Sequence, residues 1–247
     1  MATRDWPERL WIVRHGQSAG NVARDAAETG KLILIELDTR DADVPLSELG
    51  HRQAFALARW FADMPRHHQP EQFYVSPFER ARQTCQAVTD RIPDAGEPCV
   101  DERLREKEFG ILDRYTRHGI IAKFPELAEQ RRLVGKFYFR PPGGESWCDV
   151  ILRLRSVLEM LRRDAAGKRV LIVSHQVIVN CFRYLLEHLD ERAILDIDAH
   201  GDVPNCGIVE YVRGRDAMEV VRANATQPLD QTDVPVTCAS DTPRGPR

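Results

Sequence analysis

Two apolar runs in this sequence end in residues that can do chemistry. Leu10-Trp11-Ile12-Val13 leads straight into Arg14-His15-Gly16, and Val170-Leu171-Ile172-Val173 into Ser174-His175. An imidazole is a nucleophile and proton carrier near neutral pH, and a guanidinium beside it offers an oxyanion several donors at once. Arg80 follows Ser76-Pro77-Phe78-Glu79, which has the form of a helix N-terminus with a serine cap, proline at the first position and a reciprocal glutamate. Backbone N–H groups and the helix dipole favour an anion there. Taken singly, each feature reads as a loop histidine or a solvated helix face. Two histidines converging with two guanidinium groups read as a phosphate site.

These residues meet only if particular elements deliver them. The two runs read as buried parallel strands, with a third at Gln72-Phe73-Tyr74-Val75 and edge strands near residues 207–212 and 218–221. Helical spacing relates Leu49, Ala56, Leu57, Trp60 and Phe61 after Ser47, and Trp147, Val150, Ile151, Leu154, Val157, Leu158 and Leu161 after Ser146. Ser146-Trp147-Cys148-Asp149 has the capping-box form. Strands alternating with helices predict an α/β fold, a three-layer α/β/α sandwich with a mostly parallel central sheet. Ligands then bind where strands end, which is where His15 and His175 stand.

Composition narrows the function classes. With 43% hydrophobic residues and a net charge of −3 over 247 residues, the chain lacks the basic excess of a nucleic-acid binder. Residues 1–8 are charged and lead into only a short apolar run, so neither a signal peptide nor a membrane anchor is expected, and a cytoplasmic address is the default. Six cysteines show no CxxC pair and read as reduced thiols. The histidines form neither HxH nor HExxH, so no metal site is expected.

The constellation resembles the histidine phosphatase superfamily, which includes phosphoglycerate mutases and fructose bisphosphatases. Arg14-His15-Gly16 after a strand matches its signature, and Asn21 stands where the family has a phosphate-contacting asparagine. Residues 76–84, Ser-Pro-Phe-Glu-Arg-Ala-Arg-Gln-Thr, match the second motif, whose arginine is Arg80. Leu104-Arg105-Glu106-Lys107-Glu108-Phe109-Gly110 resembles the block holding the acid, Gly143-Gly144-Glu145-Ser146 the turn that follows, and Ser174-His175 the second histidine. One departure is Gln176, where most members have glycine; its Cβ restricts the backbone beside the phosphate.

The resemblance implies a phosphoglycerate mutase-like fold and a phosphohydrolase. His15 would attack phosphorus and carry a phosphohistidine, while Arg14, Arg80, His175, Asn21 and the Gln176 position bind the phosphoryl oxygens. Neighbouring guanidinium groups help keep His15 neutral. Glu102 and Glu108 read as solvated charges, and the family match selects Glu106 as the acid that protonates the leaving oxygen, with burial expected to raise its pKa. His175 is expected to stabilise transition-state charge, in the imidazolium form or neutral. No cofactor is implied; the partner is a small phosphorylated substrate. The alternatives are a phosphoglycerate-type mutase, with Arg117, Arg131 and Arg132 as carboxylate ligands, and a binding module for phosphorylated ligands without turnover.

One domain is expected over residues 1–224, with a cap or specificity segment inserted at 107–142 and a flexible stretch at 225–247. The cap carries an amphipathic pattern over residues 120–133. The apolar Leu32-Ile33-Leu34-Ile35 in the long 22–46 segment leaves open a lid, a contact between two copies in a homodimer, or plain core packing.

Overall fold

The computed structural model describes residues 5–238. In chain order the elements are β1 (Arg9–Arg14), α1 (Ala19–Thr29), α2 (Glu48–Ala62), β2 (Gln72–Val75), α3 (Glu79–Thr89), β3 (Cys99–Val100), α4 (Arg117–Lys123), α5 (Pro125–Val134), α6 (Trp147–Asp164), β4 (Arg169–Ser174), α7 (Gln176–Leu186), α8 (Glu191–His200), β5 (Ile208–Arg213), β6 (Met218–Ala225) and α9 (Gln227–Asp230). The strands form one sheet in the order β3-β2-β4-β1-β5-β6. β1, β4, β2 and β3 run parallel, β5 is antiparallel to β1, and β6 is antiparallel to β5. The sheet is thus mostly parallel, as expected. The short β3 had no signature of its own.

β1 and β4 are apolar without interruption because both their faces are covered. Leu10, Ile12, Val170 and Ile172 share a core with Val150, Leu154 and Val157 of α6 and with Ile178 and Phe182 of α7. Trp11, Val13, Leu171 and Val173 pack on the other face with Leu57 and Phe61 of α2 and Ala81, Cys85 and Val88 of α3. Alternate residues of one strand thus serve two layers. Each such side chain contributes about 1.5–3 kcal/mol of burial. Two-sided packing also fixes register, since a slip of one residue would exchange the two faces.

The Ser146 capping box forms as read, with Asp149 returning to the cap backbone, and Ser47 caps α2. The reading of Ser76 as a helix cap is corrected. α3 begins at Glu79 with Phe78 as its N-cap and no side-chain cap bond, because the Ser76 hydroxyl lies 2.7 Å from His175 Nε2. Arg80 remains in the first turn. The amphipathic pattern over 120–133 resolves into two helices. Pro125 disfavours helical backbone at the residue before it, Phe124 departs to φ −133° and ψ 56°, and α5 starts anew at the proline.

Of the apolar 32–35 patch only Ile35 is buried, at 4% exposure, while Leu32, Ile33 and Leu34 are exposed. The backbone here pairs with the cap: Ile35 N–H donates to Arg114 O, and Thr116 N–H to Ile33 O. Beyond residue 225, loose attachment was expected. Up to Cys238 the segment instead has specific contacts: Leu229 is fully buried in the α2–α3 layer, and Thr237 bonds to Asn205 and Gln53. Residues 239–247 of that expectation lie outside the described residues.

Candidate functional site

The register of β1 on β4 pairs Arg14 with Ser174, so the next residue of each strand, His15 and His175, emerges at the same level. Their rings lie 5.1 Å apart, centroid to centroid, at 66°. Both side chains are fully buried. His15 Nδ1 is 2.6 Å from its neighbour's carbonyl, Gly16 O. That carbonyl can only accept, so Nδ1 carries the proton. Nε2 faces the Arg80 Nε–H at 3.3 Å and accepts from it. A ring that donates from one nitrogen and accepts at the other is neutral, with its lone pair on Nε2.

The turn after β1 requires close backbone packing. A Cβ on Gly16 would lie 2.7 Å from Gly50 O, and one on Gly50 would lie 1.9 Å from Gln17 O. Two glycines therefore let the N-terminus of α2 press against the His15 loop. Gly16 N–H donates to Thr84 Oγ1 at 3.1 Å, and that hydroxyl donates to Arg80 O at 2.8 Å. Thr84 was not singled out in the sequence. The signal was its place four residues after Arg80, on the same helix face.

Arg14 is fully buried, and its Nη1 donates to Val203 O at 2.6 Å. Arg80 lies over the Phe78 ring, 4.9 Å from its centroid, and directs Nη1 to Asp41 O at 2.6 Å and Nη2 to Asp41 Oδ2 at 3.1 Å. Asp41 is a second residue that the sequence did not flag, having no periodicity to expose it. Asn21 forms a capping box with Ser18 at the start of α1 and accepts from Asn205 Nδ2 at 3.4 Å. A cleft bounded by Ser18, Asn21, Arg24, Asp41 and Arg80 brings Asn21 and Arg80 to one side of the site.

His175 is the N-cap residue of α7. Burial, followed by the charges of Arg80, His15 and Arg14, pushes its pKa well below 6.5. That shift favours the neutral imidazole over the imidazolium at neutral pH. Gln176 starts α7 with its amide turned to Asp202 Oδ1 at 2.7 Å. The backbone there is not in the left-handed region, so this chain does not need glycine at that position.

Glu106 is buried at 3% exposure, with Oε1 accepting from Lys107 N–H at 2.8 Å. Its segment is held from the Gly143-Gly144-Glu145-Ser146 turn. Glu145 N–H donates to Glu108 O, and Glu108 N–H to Glu145 Oε2. Arg153 of α6 bonds to Glu145 and to the carbonyls of Arg105 and Glu106. Burial pulls the Glu145 carboxyl upward, but Arg153 and Arg105 hold it below the usual range, so it remains an anion that ties the block down. Beside Glu106, burial pushes the Lys107 ammonium down to about 8. Among the described residues no group of three or more His, Cys, Asp or Glu side chains is placed to hold a metal ion, and no helix is long and apolar enough to cross a membrane.

Known proteins resemble this chain in sequence and fold. The family model described as "Histidine phosphatase superfamily (branch 1)" matches residues 10–226. A 6-phosphofructo-2-kinase/fructose-2,6-bisphosphatase of Caenorhabditis elegans is 31% identical over 196 residues, 78% of this chain and 38% of that protein. The phosphoglycerate mutase-like protein AT74H of Arabidopsis thaliana is 32% identical over 69% of this chain and 57% of its own length. The chain thus spans less than two thirds of these two curated relatives. A 2,3-bisphosphoglycerate-dependent phosphoglycerate mutase of Sinorhizobium fredii is 30% identical over 79% of this chain and 87% of its own length. Among solved structures, a mycobacterial glucosyl-3-phosphoglycerate phosphatase complexed with VO3 superposes with a TM-score of 0.63 at 26% identity, covering 88% of this chain and 99% of that one.

Proposed function

Because the chain belongs to the histidine phosphatase superfamily, branch 1, we propose that it hydrolyses phosphate monoesters through a phosphohistidine on His15, with Glu106 as acid and base. The observation that carries this reading is the neutral His15 ring, proton on Nδ1 and lone pair on Nε2, facing the Arg80 guanidinium. Arg14, Arg80, Asn21 and the start of α7 surround the place where phosphoryl oxygens would sit, supplying fixed positive potential without reorganisation. Nε2 attacks phosphorus in line, the P–O bond to the leaving alcohol breaks, and Glu106 delivers a proton to that oxygen. Water then attacks the phosphohistidine while Glu106 accepts its proton. The N–P bond breaks, returning the lone pair to Nε2 and releasing inorganic phosphate.

The step draws its cationic charge from side chains, so turnover is expected to survive excess chelator. A mutase needs carboxylate ligands for its substrate. Arg132, one candidate, instead forms a two-point ion pair with Glu129 on an exposed helix face. That sets aside one of the three candidate ligands and favours hydrolysis to that extent. The test is turnover of a chromogenic aryl phosphate, with rapid quench of Glu106→Gln. An acid-labile, alkali-stable label on wild-type His15, absent in His15→Ala, is expected. Equal turnover in wild type and His15→Ala would overturn the reading.

A further inference from the structure

Side chains hold the backbone that carries His15 at three points, alongside the backbone bonds from His15 N–H to Ser174 O and from Cys206 N–H to His15 O. His15 O and Gly16 N–H belong to one planar peptide unit, Gly16 O and Gln17 N–H to the next. Asn205 Nδ2 donates to His15 O at 3.2 Å, and Gly16 N–H donates to Thr84. Gly16 O receives the His15 ring proton, and Gln17 N–H donates to Gln53 Oε1 at 2.8 Å. The grip of Gln53 thus orients the same peptide plane that anchors the imidazole.

Gln53 and Asn205 are themselves fully buried amides, and each works only in one of its two flipped orientations. Gln53 must present oxygen to Gln17, and Asn205 must present nitrogen to His15. Both orientations converge on one hydroxyl. Thr237 Oγ1 accepts from Gln53 Nε2 at 3.0 Å and donates to Asn205 Oδ1 at 2.8 Å. Its own backbone is fixed alongside, since Asn205 N–H donates to Thr237 O at 2.9 Å and Gln53 Nε2 to Pro235 O at 2.9 Å. A hydroxyl can accept from one amide and donate to the other at once; an aliphatic group of the same size can do neither.

We propose that Thr237 is a positioning residue of the active site, which acts through Gln53 and Asn205 to hold the His15 ring on its line of attack. The segment after β6 thereby becomes a working part of the site. Thr237 makes no contact with Arg14, Arg80 or His175 among its hydrogen bonds, and it reaches Asn21 only through the long 3.4 Å bond from Asn205, so its influence falls chiefly on the reaction step. Losing the hydroxyl leaves the Asn205 oxygen and one of the two Gln53 amide protons without that partner in a buried place, which favours rotation of the Asn205 amide, while Pro235 O still holds the Gln53 nitrogen. The catalytic side of the proposal rests on the phosphatase reading above.

The test compares Thr237→Val with Thr237→Ser in the full chain, using a small aryl phosphate and amide hydrogen exchange of residues 14–22. Thr237→Val is expected to lower kcat about fivefold or more with KM within about twofold, and to speed exchange across 14–22. Thr237→Ser should keep both near wild type. Wild-type kcat and exchange in Thr237→Val, a change confined to KM, or a Thr237→Ser variant as impaired as Thr237→Val would overturn the proposal. If wild type itself hydrolyses no aryl phosphate, the phosphatase reading falls. Exchange still decides whether Thr237 holds the His15 backbone.

Discussion

Arg80 bonds to His15 and to Asp41 at once. Its Nε meets His15 Nε2 at 3.3 Å, while its two terminal nitrogens are taken by Asp41, one by the carbonyl and one by the carboxylate. Three of the five guanidinium N–H groups are therefore committed within the protein, one of them to a carboxylate. A phosphoryl oxygen must share Arg80 with Asp41 or displace it.

Replacing Asp41 by alanine should therefore tighten inhibition by inorganic phosphate and vanadate. The Asp41 side chain is 45% exposed, and ion pairs open to solvent are worth roughly 0.2–1 kcal/mol, so inhibition constants should fall by up to about fivefold. Weaker inhibition would show that Asp41 holds Arg80 in its binding pose and does not compete with the anion.

Arg131 and Arg132 are adjacent in sequence but differ in setting. Arg132 is 61% exposed and paired with Glu129. Arg131 is half-buried, and desolvation lowers its pKa first, with Asp198 opposing that shift and Arg117 adding to it. Arg132→Ala should leave every substrate within about twofold, while Arg131→Ala should change kcat/KM among substrates that differ beyond the phosphate. A uniform loss across substrates in Arg131→Ala would remove it from specificity.

Lys107 is 7% exposed beside Glu106, with its ammonium 4.4 Å from the Phe109 ring centroid. Burial lowers its pKa from 10.5 to about 8. Between these values the unfolded chain binds more protons than the folded one, so stability attributable to this group rises with pH through that window. Below it the buried charge is a fixed cost. Lys107→Met should accordingly stabilise the protein at pH 7 by on the order of 1–3 kcal/mol, with the advantage shrinking as pH climbs past 8. Urea midpoints at pH 7 and pH 10 measure this; a destabilised variant at pH 7 would mean the ammonium has a favourable partner.

How far the sequence showed these features depended on whether each one repeats. β1, β4, α2 and α6 were legible because a buried strand or helix stripe recurs along the chain, and the His15 and His175 positions followed from where those strands stop. Ser76 looked like a helix cap because serine, proline and glutamate occur in cap order. No local pattern could show that its hydroxyl faces His175, nearly a hundred residues away in sequence. Asp41, Asn205 and Thr237 were invisible for a related reason. Each makes isolated polar contacts with a distant partner, and such contacts leave no period. The composition of residues 225–247, poor in apolar side chains, gave no hint of the burial of Leu229 or of the bonds made by Thr237.

The pairing of Arg14 with Ser174 also dictates where this architecture can tolerate changes in length. A residue added to or deleted from β1 or β4 would displace one histidine against the other by about 3.3 Å and would exchange the faces of the strand. Between the two strands, the connection is anchored to Glu106 and to the Glu145 turn, and the cap from Arg117 to Val134 lies between those anchors. Insertions there leave both histidines where they are. Changes of loop length in that connection would thus alter the surface it presents without moving either histidine, while the strand ends admit substitution only.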